Sequence, residues 1–203
     1  MSAATDENPD LGLLPGDHVC AFYLGIEERD QMLLPFLRGG LEGGDKCLCI
    51  IDASEPAVLL DQIGVGLHVD LHQCLEHHQL EVQRSEDTYL ASGRFGTAEM
   101  LGFWDQAIAR LGDDGFESAR IAGEMTWALR DVPGVDELMA YESELNRPSP
   151  RWPEATILCL YDLERFGGDV VVDLVKTHPK VLLGGMVLEN PNHLSPDEFL
   201  ATR

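Results

Sequence analysis

Lysine is almost missing from this chain. Three lysines and eleven arginines stand against 36 aspartates and glutamates among 203 residues, for a formal net charge of −22. A surface of that sign repels phosphate backbones and argues against direct binding of DNA or RNA. The same charge keeps a protein soluble, or suits it to a basic protein partner. Long hydrophobic runs are missing too: no stretch approaches the ~18 apolar residues of a membrane-spanning helix. The opening "MSAATDENPDLGLL" lacks a basic region followed by an apolar one, so it does not read as a secretory signal, and residues 1–14 are expected to form a frayed acidic tail. Five cysteines, an odd number without framework spacing, give no disulfide scaffold and suggest free thiols in a reducing cytoplasm.

Catalytic signatures are equally scarce. A triphosphate cradle needs G-x-x-x-x-G-K-[ST], because backbone N–H groups hold the phosphates and a lysine pairs with the outer ones. The chain has no such run, nor G-x-S-x-G, H-E-x-x-H or G-x-G-x-x-G after a strand. "GVG" at 64–66 lacks both the third glycine and the preceding strand. An enzyme is therefore not expected. The only acid/base pair on offer is Glu124 with Asp162, and carboxylates at strand ends are common in proteins that catalyse nothing.

What the sequence does contain is alternation. Apolar strand patterns occur at 18–23, 46–53, 80–83, 118–125, 156–162 and 181–189. Helical patterns lie near 26–42, 55–63, 68–78, 97–112, 134–146 and 168–177. That order predicts a single α/β domain over 15–203, with a mostly parallel central sheet and helices on both faces. Runs such as "CLCIIDA" suit strands covered on both sides. Pro35 should kink or divide the first helix. "DDG" at 113–115 and "NRPSPRWP" at 146–153 read as connections.

In parallel α/β sheets, ligands bind beyond the carboxyl ends of the strands. Those ends present Phe22, Tyr23, Asp52, Glu124, Tyr161 and Asp162, with Trp127 and Arg165 in the following turns. Aromatic area with a few fixed polar points is the usual makeup of a small-ligand pocket. Aspartates there also cap helices, so packing alone is the alternative. An ion pair between Glu124 and Arg165 would suit the pocket floor. At "GIEERD" (25–30), three acids and one arginine stand where a phosphate would lie, so the helix dipole meets carboxylates instead.

Two further groups carry potential metal ligands. "HVDLHQCLEHH" (68–78) holds four histidines and a cysteine, but its pairs point in different directions and no second pair follows at finger spacing. It reads as a solvated helix face. His18 and Cys20 share one side of a strand, where a thiolate site with Cys47 or Cys49 is one reading and a buried apolar thiol the simpler one. No metal site and no identified cofactor are expected, and His18 is kept as a ligand contact.

Several motifs occur together in one order: "GDHVCAFY", "GFESARIAGEMTWALRD", "YESELN", "ILCLYDLERF" and "THPKVLLGG". This order resembles the MEDS family, the DcmR-like sensory domains of methanogens and methylotrophs, over nearly all of 15–200. "GEMTWALRD", "YDLERF" and "THP" are its most specific pieces. The resemblance implies a RecA/KaiC-like fold with a degenerate P-loop. It also implies a sensor of small organic molecules, hydrocarbon derivatives among them, coupled to transcription regulation. His18, Phe22, Glu124, Trp127, Tyr161, Asp162, Arg165 and His178 are the motif positions it marks as contacts. With no room for an output domain, the expected partner is a separate regulator, such as a histidine kinase or an anti-sigma-type protein. A ligand-free interaction scaffold is the alternative. Pairing of "GGMVLENPNHL" (184–194) with a second copy stays open.

Overall fold

The computed structural model describes residues 11–147 and 152–203. Its strands are β1 (His18–Tyr23), β2 (Lys46–Ile51), β3 (Leu80–Arg84), β4 (Ala119–Glu124), β5 (Ala155–Asp162), β6 (Lys180–Leu183) and β7 (Met186–Glu189). They form one sheet in the order β3-β2-β4-β5-β1-β6-β7. Every pair is parallel except β6 with β7. Helices α1 (Gly25–Gly43), α2 (Pro56–Gly64), α3 (Leu71–Glu76), α4 (Thr97–Ala109), α5 (Leu138–Glu144), α6 (Gly168–Thr177) and α7 (Pro196–Leu200) complete the chain.

Strand parity makes the layers. In β1, Val19, Ala21 and Tyr23 enter one core, against α1, α2 and α3. Cys20 and Phe22 enter the other, against α4, α5, α6 and α7. The result is the expected three-layer α/β arrangement, covered on both faces as unbroken apolar strands require. The same parity settles one cysteine pairing: Cys47 and Cys49 lie in the α1 core, across the sheet from Cys20. They cannot join His18 and Cys20 in a site.

Four local features differ from the sequence reading. Helix α1 runs undivided through Pro35, because its buried stripe of Arg29, Met32, Leu33, Phe36, Leu37, Gly40 and Leu41 outweighs one lost rung. The expected strand 181–189 is a hairpin, β6–β7, turned by Gly184 (φ 55) and Gly185 (φ 76). Consecutive positive φ values are the signature of a type I′ turn, which glycines adopt without strain. Helix α7 is an addition, started by a capping box between Ser195 and Glu198. Finally, the expected tail ends before residue 14: Leu13 is buried in the α1 core, and the carbonyl of Leu14 accepts from Thr156 Oγ1 at 3.1 Å. Residues 1–10 and the centre of "NRPSPRWP" lie outside the described residues.

One glycine ties the loop before α4 to the loop before α5. Gly134 has φ +85, and a Cβ there would stand 2.0 Å from the carbonyl oxygen of Phe95. Phe95 in turn donates its N–H to the carbonyl of Pro133 at 2.9 Å. Gly134→Ala should lower the free energy of unfolding by at least roughly 1–3 kcal/mol, from backbone strain alone. Urea denaturation reads this directly, and an unchanged midpoint would mean the two loops do not pack as described.

Candidate functional site

At the carboxyl end of the sheet, Glu124 closes β4 with no exposure to solvent. Its Oε1 accepts from Tyr23 Oη at 3.2 Å. Its Oε2 accepts from Arg29 Nη1 at 3.3 Å and from the backbone N–H groups of Asp52 (2.8 Å) and Ala53 (2.9 Å). Arg29 is equally buried and also donates to Asp30 Oδ1 and Ser54 Oγ. Burying two charges is affordable only when each is this fully hydrogen-bonded. Burial, and then the adjacent Glu124, pushes the Tyr23 hydroxyl far above its usual range, so it stays a donor. The partner of Glu124 is thus Arg29; Arg165 is exposed on the turn after β5.

The start of α1 is occupied by its own acids. Glu28 Oε2 accepts the backbone N–H of Leu24 at 2.6 Å, and a second carboxylate, Glu164, faces Gly25 from the turn after β5. The helix dipole favours a negative group there, and the chain supplies one.

The other carboxyl-end candidates are built into the structure. Asp52 accepts from Ser85 Oγ, from Thr126 Oγ1 (3.0 Å) and from Arg130 Nη2 (2.6 Å), locking the turn after β2 to the turn after β4. Asp162 caps its own turn through the N–H of Glu164 at 2.9 Å. Trp127 has no exposure; its ring stacks on Tyr89 at 4.9 Å and leans on Phe95 at 4.7 Å. Phe22 is core against α4–α7. The acid–aromatic edge of the sequence is therefore side chain packed on side chain.

The remaining candidates meet elsewhere. His18 opens β1, Tyr161 sits near the end of β5, and His178 lies between α6 and β6. All three converge on Glu142 of α5, which is completely buried. Tyr161 Oη donates to Glu142 Oε1, Cys159 Sγ donates to Oε2 at 3.4 Å, and both histidine Nε2 atoms stand 3.3 Å from Oε2. The two imidazole rings are 4.2 Å apart. Burial, then the neighbouring His178, pulls His18 below the ordinary histidine range, toward the neutral ring. Burial pushes the thiols of Cys20 and Cys159 well above theirs.

Above this cluster, at the amino end of the sheet, lies a cavity of about 330 Å³. Its walls include His18, Leu145, Asn146, Trp152, Ile157 and His193. His193 Nε2 is buried and has no hydrogen-bond partner among the described residues. Burial, then His18, holds this ring below the usual histidine range. The histidine-rich segment is different: His68 bonds Glu42, His72 is exposed beside Glu76, and Cys74 turns into the core.

The structure thus divides the ten sequence candidates. Tyr23, Asp52 and Glu124 share one network; His18, Tyr161 and His178 share another; Phe22 and Trp127 are core, Asp162 is a cap and Arg165 is exposed. Residues the sequence reading passed over complete both networks: Arg29 in the first, and Glu142, Asn146 and Cys159 in the second. His193, on the cavity wall, was passed over as well. "YESELN" carried the signal for two of them, since Glu142 and Asn146 are four apart within the helix expected over 134–146, although Asn146 lies in the turn just past α5.

The chain is similar to known proteins along most of its length. It is 27% identical over 179 residues to the transcriptional repressor DcmR of Methylorubrum extorquens, covering 87% of this chain and 63% of that one. It therefore spans somewhat less than two thirds of that relative. Among solved structures it resembles the flagellar accessory protein FlaH of Methanocaldococcus jannaschii, with TM-score 0.56, 14% identity, and coverage of 92% of this chain and 82% of that one. That likeness is one of fold, and with the strand order it makes the architecture RecA-like. Residues 17–179 match the family model of the methanogen/methylotroph DcmR sensory domain, and the chain belongs to this family, MEDS.

Proposed function

We propose that the chain is a cytoplasmic sensory module that takes a small organic ligand into the amino-end cavity and signals to a regulatory partner in transcriptional control. The carrying observation is a cavity faced by Leu145, Trp152 and Ile157, with the polar side chains of His18, Asn146 and His193 also on its wall. A few fixed polar groups among apolar walls are the usual makeup of a small-ligand site. The apolar remainder would lie on Trp152 and Ile157. A volume of about 330 Å³ is at the small end of ligand sites, which suits a short hydrocarbon derivative. The kinship with a repressor supports a role in transcription regulation.

In this reading the α1 start is a degenerate P-loop: Glu28 takes the N–H that a phosphate would take, and the Arg29–Glu124 pair fills the space beneath. The chain binds and reports without turnover. Ligand acts by favouring one of two states, so it must bind them unequally. The output face is the β6–β7 edge, where Leu183, Met186 and Leu188 are 45%, 63% and 47% exposed. An open edge strand with apolar side chains is suited to pairing with a kinase, an anti-sigma-type protein or a second copy.

A thermal-shift screen of short-chain alcohols, amides, acids and halides tests the reading. At least one should raise the melting temperature by roughly 5–10 °C at a hundredfold excess over its dissociation constant. His193→Ala should abolish that rise while leaving the ligand-free melting temperature nearly unchanged. A panel without any shift, or a shift that survives the substitution, contradicts it. One observation favours a second reading, the ligand-free scaffold: the carboxyl end is already filled by Trp127 and its neighbours. Under that reading, Met186→Asp with Leu188→Asp would abolish partner binding, and no ligand would matter.

A further inference from the structure

The buried cluster under the cavity has a chemistry that small-molecule sensing does not need. His18 of β1, Glu142 of α5, Cys159 of β5 and His178 before β6 each offer one donor atom, and these four atoms lie within 4.8 Å of one another. The closest approaches are 3.3 Å from each histidine Nε2 to Glu142 Oε2, 3.4 Å from Cys159 Sγ to the same oxygen and 3.5 Å from Sγ to His18 Nε2. Donors bound at 2.0–2.3 Å to one tetrahedral cation stand about 3.3–3.8 Å apart.

The protons point the same way. His178 Nδ1 lies 2.8 Å from the carbonyl oxygen of Leu174, which can only accept. Nδ1 therefore carries a hydrogen, and in the neutral ring Nε2 carries a lone pair, buried 3.3 Å from Glu142 Oε2. His18 Nδ1 lies 3.0 Å from Asn146 Oδ1. The Asn146 amide cannot be turned around, because its Nδ2 already donates to the carbonyls of Glu142, Ser143 and Thr177. So His18 too is protonated at Nδ1 and presents a lone pair inward. Two imidazoles held by oxygen acceptors at Nδ1, with both Nε2 lone pairs aimed at a carboxylate and a thiol, is how proteins orient metal-binding histidines.

We propose that His18, Glu142, Cys159 and His178 form a closed four-coordinate site for a divalent transition-metal cation of the zinc class. Imidazole, thiolate and carboxylate donors together suit zinc and its neighbours, whereas magnesium and calcium require oxygen. Charge balances as well. As the metal–sulfur bond forms, the Cys159 thiol releases one proton to solvent, and thiolate plus Glu142 carboxylate neutralise a 2+ ion between neutral rings. With all four positions filled by protein, the ion would clasp α5 and the α6–β6 turn to the sheet. The inference does not depend on a ligand in the cavity, although His18 borders both.

Chelator-stripped full-length chain titrated with Co²⁺ alone gives the test. One equivalent per chain should produce thiolate-to-cobalt charge-transfer absorption, which Zn²⁺ then abolishes by displacement, and Zn²⁺ should raise the melting temperature by roughly 5–10 °C at a hundredfold excess over its dissociation constant. Cys159→Ser should lose the charge-transfer band, and His72→Ala and Cys20→Ser should keep it. Wild-type chain that develops no such band overturns the proposal, even if a variant fails to fold. So does a band that persists in Cys159→Ser. A cluster filled by a proton on one imidazole would give the first of these results.

Discussion

Glu124→Ala should destabilise the protein by about 3–5 kcal/mol, the usual cost of leaving the partner of a buried ion pair uncompensated. For a chain of this size the melting temperature would fall by roughly 6–20 °C. Arg29 has no exposure and loses the Glu124 carboxylate, and the N–H groups of Asp52 and Ala53 lose their acceptor. Adding Arg29→Met to Glu124→Ala should recover part of the loss, because a buried guanidinium left with Asp30 as its one carboxylate partner is then gone. Full recovery is not expected, since the two backbone donors and the Tyr23 hydroxyl remain unsatisfied. Chemical denaturation of the two single variants and the double variant yields the coupling. A loss under about 1 kcal/mol in Glu124→Ala would mean that the carboxylate is not the joint between β1, β2 and β4, since it would then match an exposed ion pair.

Trp127→Ala should cost a similar amount, about 3–5 kcal/mol, by opening a cavity in a dry aromatic layer. The indole packs against both Tyr89 and Phe95, and Tyr141 meets Phe95 edge-on at 5.5 Å. Trp127→Phe should restore much of the stability, because the ring stays and an indole N–H with no partner among the described residues is removed. The same variant separates core from contact. If Trp127 is packing alone, Trp127→Phe will respond to the ligand panel as the wild type does. If it lines the ligand site, the response will shift. Denaturation midpoints and thermal shifts read the two properties independently.

The fold could be read from residues because its signals are local and repeated. Continuous apolar strands between amphipathic helices specify a covered parallel sheet, and the motif order specified the family. Where local signals were short or ambiguous, the reading slipped. "VLLGGMVLE" is apolar on both sides of its glycines, so one strand and a hairpin look alike until the turn angles are known. "SPDEFL" held a capping box, but a five-residue helix gives no periodicity. Listing strand ends found Glu124 and Asp52, yet it could not show that Arg29, one turn into α1, reaches back to pair with Glu124. Nor could it show that the motif histidines leave that edge. His18 and His178 lie at the opposite end of the sheet because β1 begins, rather than ends, with His18, and β6 begins just after His178. Parity placed Cys159 and Tyr161 on one face of β5. Only the packing of α5 across that face brought Glu142 to them. A glutamate on the buried stripe of a helix, between Leu138, Tyr141 and Leu145, was the legible warning, since a carboxylate there must find partners.

The most direct test follows backbone and indole N–H signals in ¹H–¹⁵N spectra, with Mg-ATP and, separately, with the most stabilising compound of the panel. The account predicts that the compound moves Gly16, Asp17, Asn146, His193 and the Trp152 indole, and that Mg-ATP moves nothing around Leu24 to Arg29. Saturable shifts at Leu24 to Arg29 with Mg-ATP, alongside silence at the amino-end cavity, would contradict it.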